Sequence, residues 1–248
     1  MQKYGLSFIS DQNLYECVQA VVHAYRFGMS LEEFNKNIVD PIKLTFDMKV
    51  SRKSIEEIIE REIVRQLDKT INNSIGYFHQ NLFSYIDPGW IVPKQGYDII
   101  NQSKLIFVEM KNKHNTMNSS SSQKTFMRMQ NTLIQHPNAT CLLVEIISRC
   151  SQDREWTISL DGQKVSCRSI RRISIDRFYQ LVTGEPNAFR YLCEALPYVI
   201  DDIVQDTPQS LQESTVIKDL RKKSPNLLRS LYMLAFKTYE GFDDLNIE

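Results

Sequence analysis

Three charged residues near the middle of the chain have the types and spacing that metal-assisted hydrolysis of a phosphodiester requires. Asp98 lies in one apolar segment, and Glu109 and Lys111 end the next one. In a β-strand residues i and i+2 share a face, so Glu109 and Lys111 are expected to project together. A hairpin turn at Asn101-Gln102-Ser103 would bring Asp98 beside Glu109. Two carboxylates can hold a hard cation such as Mg²⁺, and a lysine ammonium can orient or activate the attacking water.

The main alternative for these residues is a surface hairpin with one Glu–Lys pair, because Asp, Glu and Lys are common and the spacer between them varies. The neighbouring residues favour a functional site. Leu105-Ile106-Phe107-Val108 has the composition of a short buried strand. Charged residues that end such a strand are costly unless they have partners. We therefore predict a hydrolytic centre at Asp98, Glu109 and Lys111.

A helix predicted from Ile55 to about Asp68 carries an anomaly in its apolar stripe. Glu62 and Gln66 fall inside the stripe at 3.6 residues per turn, whereas polar residues normally lie opposite it. A carboxylate that faces the core needs a partner or a metal ion. The competing interpretation is an ordinary ion-paired or snorkelling glutamate at the edge of the stripe.

A polar stretch from Asn112 to Lys124 follows the strand that carries Glu109 and Lys111. Serine runs are usually flexible linkers, but the position of this one favours contacts with phosphates and base edges. A helix predicted to begin near Ser122 would add main-chain amides to that surface. The residues of this stretch that we predict to contact DNA are Lys113, His114, Asn118, Ser119, Ser120, Ser121, Ser122, Gln123 and Lys124, and Arg128 follows them.

Further along the chain, apolar and basic residues alternate between Cys167 and Ile175. Such a strand can present Arg168, Arg171 and Arg172 to a nucleic-acid groove. It can equally be an edge strand whose charges prevent pairing with other chains. Both interpretations remain open from the sequence.

The charge balance argues against nonspecific coating of nucleic acid. Thirty Lys and Arg residues balance thirty Asp and Glu residues, so the formal net charge is zero. The window from Lys94 to Arg128 nevertheless contains six basic residues and only two acids. A neutral chain with a local basic patch is suited to reading one DNA sequence without adhering to all DNA.

The composition predicts a globular cytoplasmic protein without structural zinc. Hydrophobic residues make up 42% of the 248 positions, but no apolar run approaches the roughly 20 residues that span a bilayer. The amino terminus lacks the features of a secretion signal. The five cysteines are scattered and form no Cys-x-x-Cys pair, so neither a disulfide framework nor a zinc site is expected.

The order of elements predicts an α/β (α+β) fold with a mixed β-sheet flanked by helices. A strand at 140–147 follows the helix after the hairpin, which predicts a parallel crossover unit. We expect one domain over 1–248, with N-terminal helices at 1–50, a catalytic core at 51–180 and a C-terminal helical part at 181–248. Residues 72–95 are interpreted as a loop-rich wall of the site. Pro41 is expected to punctuate the helix at 31–38, Pro197 to interrupt the helix at 188–204, and Asp176 to cap the helix that follows it. Helices are predicted at 11–27, 31–38, 55–68, 122–135, 176–184, 188–204 and 227–239.

The run Lys111-Asn112-Lys113-His114-Asn115-Thr116-Met117-Asn118-Ser119 is far more particular than three scattered charged residues. With Gly76-Tyr77-Phe78-His79-Gln80-Asn81 and Arg171-Arg172-Ile173-Ser174-Ile175-Asp176, it resembles type II restriction endonucleases of bacterial GGNCC-specific restriction–modification systems, within the PD-(D/E)xK nuclease superfamily. The resemblance implies a restriction-endonuclease-like core and Mg²⁺-dependent cleavage of both DNA strands by a homodimer. It also implies a cognate cytosine methyltransferase that acts on the same site without a stable complex.

The same resemblance assigns roles to individual residues. Asp98 and Glu109 would bind the metal, and Lys111 would be the catalytic lysine. Glu62 would be a fourth member of the site, because a helix before the hairpin often offers a carboxylate in this superfamily. The Pro-Asp pair of the superfamily appears here as Tyr97-Asp98. GGNCC recognition would need donors to guanine O6 and N7, and the candidates are Lys113, Lys124, Arg128, Arg168, Arg171 and Arg172.

Two other functions compete with a restriction enzyme. A repair or junction-resolving nuclease of the same fold would read DNA shape, so the serine-rich run would have a smaller role in recognition. A DNA-binding module with a decayed active site would not need Asp98, Glu109 and Lys111 together.

Overall fold

The computed structural model describes residues 4–114, 117–160, 162–206, 213–240, 242 and 245–247. Asn115 and Thr116 of the polar run, and Asp161 of a predicted turn, lie outside them. The strands are β1 (Trp90–Ile91), β2 (Ile99–Asn101), β3 (Ile106–Lys113), β4 (Thr140–Ile147), β5 (Asp153–Leu160) and β6 (Gln163–Ser174). The helices are α1 (Asp11–Val22), α2 (Leu31–Lys36), α3 (Pro41–Ser51), α4 (Ile55–Ile86), α5 (Ser119–Gln135), α6 (Ile175–Thr183), α7 (Ala188–Asp206), α8 (Val216–Lys223) and α9 (Leu227–Phe236).

The six strands form one mixed sheet in the order β1-β2-β3-β4-β6-β5. Strands β3, β4 and β6 are parallel, while β1, β2 and β5 pair antiparallel with their neighbours. This arrangement confirms the predicted mixed sheet. Arg171 and Arg172 of β6 pair with β4 on one side and β5 on the other, so the interpretation of these two residues as protection of an edge strand is wrong.

The predicted hairpin forms between β2 and β3, with Ile99 opposite Val108. Its turn is held by the buried side chain of Asn101, whose Oδ1 accepts hydrogen bonds from Ser103 Oγ (2.9 Å) and Lys104 N (3.0 Å). Such local side-chain bonds are why Asn favours turns. Leu105 completes the turn at φ 50°, a left-handed conformation that is uncommon for a non-glycine residue.

Helix α5 makes the crossover between the parallel strands β3 and β4, as predicted. It begins at Ser119, three residues before the predicted start, because Asn118 is a better cap: its side chain accepts from Ser121 N at 2.8 Å. The helix ends at His136, directly before a proline that cannot continue it.

Two apolar layers cover the opposite faces of the sheet. Val108 and Met110 of β3 pack in one layer with Phe178 of α6. Cys141 and Leu143 pack in the other layer with α5, through Phe126 and Met129 among others. The alternation along β3 therefore places Val108 and Met110 on the face opposite Glu109 and Lys111, and the latter two project together as predicted.

Helix α4 corrects the prediction of a loop-rich wall at 72–95. It continues to Ile86 because Phe78, Leu82 and Phe83 recur at helical spacing and are buried. Within the same layer, His79 is buried and its Nδ1 lies 3.0 Å from the hydroxyl of Tyr179. His79 is thus a packing residue of this layer.

Proline and cap positions account for the other differences from prediction. Pro41 follows the end of α2, as predicted, and it also starts α3 at its first turn, with Asp40 as the cap. Pro197 lies inside a continuous α7. Ser174, not Asp176, occupies the cap position of α6. Helix α8 was not predicted at all, since its eight residues are mostly polar.

The chain forms two compact units, Met1–Val22 with Ser74–Thr207 and His23–Asn73 with Pro208–Glu248. The first holds the sheet, and the second has a separate apolar core that includes Phe34, Leu44, Ile59, Leu220 and Leu231. These bounds differ from the predicted segments at 1–50, 51–180 and 181–248, and the single functional domain stays a prediction. Among the described residues, no helix is long and apolar enough to cross a membrane.

The extended α4 can be tested through Phe83, which is fully buried against Phe178 and Tyr179. We expect Phe83→Ala to lower the free energy of unfolding by about 3–5 kcal/mol, because it leaves a cavity that the neighbours fill only in part. Urea denaturation followed by circular dichroism measures the change. Tyr77→Ala on the exposed face of the same helix is the control, with a change within about 0.5 kcal/mol. Equal effects of the two variants would contradict the packing of α4.

Candidate active site

Asp98 is held beside β3 by hydrogen bonds to its main chain and to its side chain. Its N–H donates to the carbonyl of Val108 at 2.9 Å, and its Oδ2 accepts from the N–H of Met110 at 2.6 Å. The hairpin therefore fixes the carboxylate next to Glu109, as the sequence predicts.

Glu109 is bound by two cationic side chains. The Nζ atom of Lys111 lies 2.6 Å from Glu109 Oε1. Arg128 of α5 donates from Nη2 to the other oxygen, Oε2. The three predicted residues Asp98, Glu109 and Lys111 are thus together at the carboxyl end of the hairpin, with Arg128 as a fourth member.

Arg128 is itself held in place by the segment before β2. Its Nη1 donates to the carbonyl of Gly96 at 2.7 Å, and its guanidinium lies 4.8 Å from the ring centroid of Tyr97. The hydroxyl of Tyr97 in turn lies 2.7 Å from Thr132 Oγ1 on α5. Tyr97, which stands where the superfamily has proline, thus makes a cation–π contact that helps to hold Arg128.

Burial and the neighbouring carboxylate set the electrostatics of the site. Burial raises the pKa of Asp98 above its ordinary value, and the charge of Glu109 raises it further. The Met110 N–H, Lys111 and Arg128 oppose this shift without cancelling it. The pair of carboxylates is therefore a place where added positive charge is favourable.

A cleft of about 230 Å³ opens beside Lys111. Its lining residues include Lys111, Ser119, Ser122, Glu145, Trp156 and Arg172. Three of the predicted DNA contacts, Ser119, Ser122 and Arg172, thus share one cleft with Lys111.

The other predicted DNA contacts are more dispersed. Gln123 donates to the carbonyl of Ser159 at 2.8 Å, and His114 contacts Glu145. Arg171 binds Asp153 and projects from the sheet face opposite Arg172. Asn118 caps α5, and the remaining candidates are exposed: Lys113, Ser120, Ser121, Lys124 and Arg168.

Comparison with known proteins identifies the family. The family model described as Eco47II restriction endonuclease matches residues 6–205 of the chain. The chain belongs to the Eco47II restriction endonuclease family. One relative is the type II restriction enzyme Sau96I of Staphylococcus aureus, 33% identical over 212 residues that cover 81% of each chain. Another is the type II restriction enzyme Eco47II of Escherichia coli, 29% identical over 81% of this chain and 89% of that protein.

Membership in this family confirms the resemblance noted from the polar run after β3. The enzyme is a type II restriction endonuclease, a site-specific deoxyribonuclease whose substrate is DNA. The repair-nuclease and inactive-module alternatives are therefore set aside.

The donor set at the hairpin is compatible with Mg²⁺. Among the described residues, no group of three or more His, Cys, Asp and Glu side chains could hold a metal ion. Mg²⁺ nevertheless often takes only one or two protein carboxylates, with water and substrate phosphate completing its shell. Asp98 and Glu109 supply two adjacent, partly buried carboxylates, so these residues fit the ion that the family implies.

Glu62 has protein partners that account for its burial. Arg65 Nε donates to its Oε2 at 2.6 Å, and Gln66 Nε2 donates to its Oε1 at 3.0 Å. Burial opposes the charged form, but these hydrogen bonds outweigh it and lower the pKa of Glu62. Both partners lie in the second compact unit with Glu62. The contacts are those of the ion-paired alternative, and a catalytic role for Glu62 stays a prediction.

Sequence reasoning did not single out Glu145, which is buried on β4 and lines the cleft. The sequence does contain a feature that marks this residue. Glu145 is the one charged residue in the otherwise apolar strand from Cys141 to Ile147. A charge at such a position is costly unless it is paired, so it marks a polar network.

The raised pKa of Asp98 predicts how one substitution changes stability with pH. The folded chain holds this proton more tightly than the unfolded chain, so stability falls as pH rises above about 3.9, the ordinary value. Asp98→Asn removes that penalty while keeping an oxygen for the Met110 N–H. We expect the variant to be more stable than the wild type at pH 7.5 without metal, and the gain to shrink as pH falls through the raised pKa.

Urea unfolding in chelator-treated buffer at several pH values measures this difference. Asp87→Asn is the matched control, since the Gly89 N–H holds the pKa of Asp87 below its ordinary value. Its charge is therefore favourable in the folded state, and the control should show no gain at neutral pH. A loss of stability in Asp98→Asn at pH 7.5 would contradict the electrostatics of the site.

Proposed function

We propose that the enzyme hydrolyses both strands of DNA at GGNCC with Mg²⁺ as its cofactor. The observation that carries the proposal is the convergence of Asp98, Glu109 and Lys111 at one end of a hairpin, beside a cleft with basic residues. The GGNCC site itself rests on the resemblance of the run from Lys111 to Ser119. Cleavage at this site would protect the host cell against foreign DNA.

In this proposal each residue of the centre has a distinct task. Asp98 and Glu109 hold the ion, which when bound polarises the scissile phosphate. Lys111 leaves its contact with Glu109 to orient the attacking water or a phosphate oxygen. Arg128 keeps positive charge beside the phosphate while Tyr97 and Gly96 fix its position. Preorganised charges of this kind stabilise the charge that develops in the transition state.

Recognition would combine phosphate contacts with base contacts. Arg and Lys side chains bind phosphates without regard to sequence, and an arginine can also bind guanine O6 and N7 together. Main-chain amides in the first turn of α5 suit a phosphate. The basic residues that we propose for these tasks are Lys113, Lys124, Arg128, Arg168, Arg171 and Arg172, with the polar contacts of His114, Asn118, Ser119, Ser120, Ser121, Ser122 and Gln123.

The proposed enzyme acts as a homodimer, because one chain offers one hydrolytic centre in its described part and two strands are cut. A two-fold protein matches a near-palindromic site. Helix α3 supports a partner copy: Ile42, Phe46 and Val50 recur every four residues and are exposed, Phe46 by 67% and Val50 by 79%. Contiguous apolar stripes of this kind are uncommon on monomers.

The cellular setting follows from the substrate. We propose that the enzyme works in the cytoplasm, where the host DNA is. A cytosine methyltransferase would protect the same sites in that DNA and would act without a stable complex with the enzyme.

Lys111→Ala and Glu109→Ala test the proposed chemistry. We expect each to reduce the single-turnover rate of plasmid cleavage by at least about 10²–10³-fold, since each removes a charge that acts at the reacting phosphate. Sequence-specific DNA binding should persist in part. Discrete plasmid fragments that map to GGNCC sites, formed by the wild type with Mg²⁺ but not with chelator, measure the activity.

Lys104→Ala is the matched control for Lys111. Lys104 is an exposed lysine of the same hairpin, and it pairs with Asp87 away from the centre. It should cleave like the wild type. Undiminished cleavage by Lys111→Ala would remove the assignment of the centre, and fragments at unrelated sequences would remove GGNCC.

Phe46→Lys tests the dimer. A lysine here would place an unpaired charge in an apolar interface, which is costly, so the variant should dimerise at least about tenfold more weakly. Sedimentation equilibrium across a range of protein concentrations measures this. Tyr198→Lys, an equally exposed aromatic position on α7, should leave the dissociation constant unchanged. A wild type that stays monomeric, alone and on DNA, would contradict the dimer, and an unaffected Phe46→Lys would exclude α3 as its surface.

A further inference from the structure

A buried carboxylate lies in the wall of the cleft beside the hydrolytic centre. Glu145 is only 1% exposed and sits in the middle of the parallel part of the sheet. Burial of a charge costs several kcal/mol unless partners compensate. The contacts of Glu145 must therefore explain how a charged residue can be buried in an otherwise apolar strand.

Glu145 joins three strands through its two oxygens. Arg172 of β6 donates to Oε1 from Nε at 2.9 Å, and its Nη2 lies 2.6 Å from the same oxygen in an ion pair. His114, directly after β3, places Nδ1 3.1 Å from Oε1 and 3.0 Å from Oε2. Ser148 Oγ also donates to Oε2 at 3.3 Å. Since the partners flank both oxygens, the carboxylate cannot rotate without losing bonds.

The position of this cluster links it to the known reaction. Glu145 is the residue of β4 opposite Lys111 of β3, and Glu145, Lys111 and Arg172 line the same cleft. A DNA strand whose scissile phosphate meets Lys111 would pass close to Arg172. Glu145 itself is already saturated by its protein partners, so it is poorly suited to bind a metal ion or an attacking water.

Arg172 keeps donors that Glu145 does not use. The guanidinium has five N–H groups in a rigid plane. Its contacts with Glu145 employ Nε and Nη2, and the described contacts include no hydrogen bond from Nη1. Glu145 binds one edge of the Arg172 guanidinium and thereby fixes its plane. The other edge remains available to a ligand in the cleft.

We propose that Glu145 is a positioning residue for sequence recognition, which holds Arg172 so that its free edge donates to O6 and N7 of a guanine. The inference rests on the proposed function and goes beyond it, because it selects one reader from six basic candidates and adds the residue that aims it. Guanine is the base whose major-groove edge offers two adjacent acceptors to an arginine fork. A phosphate can also accept two bonds from an arginine fork, but such a contact would weaken binding to every duplex alike.

Glu145→Gln and Arg172→Lys test this assignment. Dissociation constants are measured without cleavage, in chelator, for a duplex with the sequence that the wild type cuts and for duplexes with each base pair replaced in turn. We expect both variants to lower the preference for one particular G·C pair by about 10- to 100-fold, the range of one bidentate contact. Discrimination at the other positions should remain.

The two substitutions should act as one unit. If Glu145 works through Arg172, the double variant loses no more discrimination than either single variant. The single-turnover cleavage rate at saturating enzyme should fall much less than the affinity. Glu155→Gln, an equal change of charge on an exposed residue of β5, should leave discrimination unchanged. Arg172→Lys keeps a cation beside Glu145, so it remains informative where Glu145→Gln folds poorly.

Three results would overturn the inference. Equal weakening on all duplexes would make Arg172 a phosphate contact. Wild-type discrimination in both variants would remove it from recognition, and a slower reaction with unchanged binding would place Glu145 in the chemistry. Failure of the proposed function would look different, since it would appear in the wild type as an absence of cleavage or of any sequence preference.

Discussion

The structure depends on the cost of placing two carboxylates side by side in a partly buried position. Asp98 is fixed there by the main chain of β3, and Glu109 follows from the register of the same hairpin. Mutual repulsion would push them apart, so the neighbouring elements supply compensation. Lys111 comes from β3 itself, and Arg128 comes from the crossover helix, where Tyr97 and Gly96 hold its guanidinium. The hairpin, the crossover and the segment before β2 are therefore one electrostatic unit.

Sequence reasoning located this unit because its signal is local. Alternation along β3 and a short turn determine the geometry of Asp98, Glu109 and Lys111. Features that arise from distant contacts were not accessible in the same way. The second half of α4 reads as loop because glycine and polar residues separate its aromatics, and only packing against α6 shows that Phe83 belongs to a helix. Glu145 was overlooked because its partners Arg172 and His114 lie far from it in the chain.

Three arginines near the proposed centre are paired with specific carboxylates in this chain of zero net charge. Arg128 binds Glu109, Arg172 binds Glu145 and Arg171 binds Asp153. Each carboxylate thereby holds the guanidinium of its arginine in one orientation, whereas an unpaired arginine side chain would be mobile. Such pairing limits indiscriminate attraction to phosphates and concentrates binding energy in directed contacts. This is the electrostatic behaviour that suits a restriction enzyme, which must tolerate the host chromosome.

The two cationic side chains that bind Glu109 bear on the stage at which the protein would bind a metal ion. Lys111 and Arg128 already compensate the charge of this carboxylate. In the proposed function, a metal ion would therefore replace these side-chain contacts at a centre that is already assembled. A chelating agent would then remove the activity reversibly and leave the protein folded.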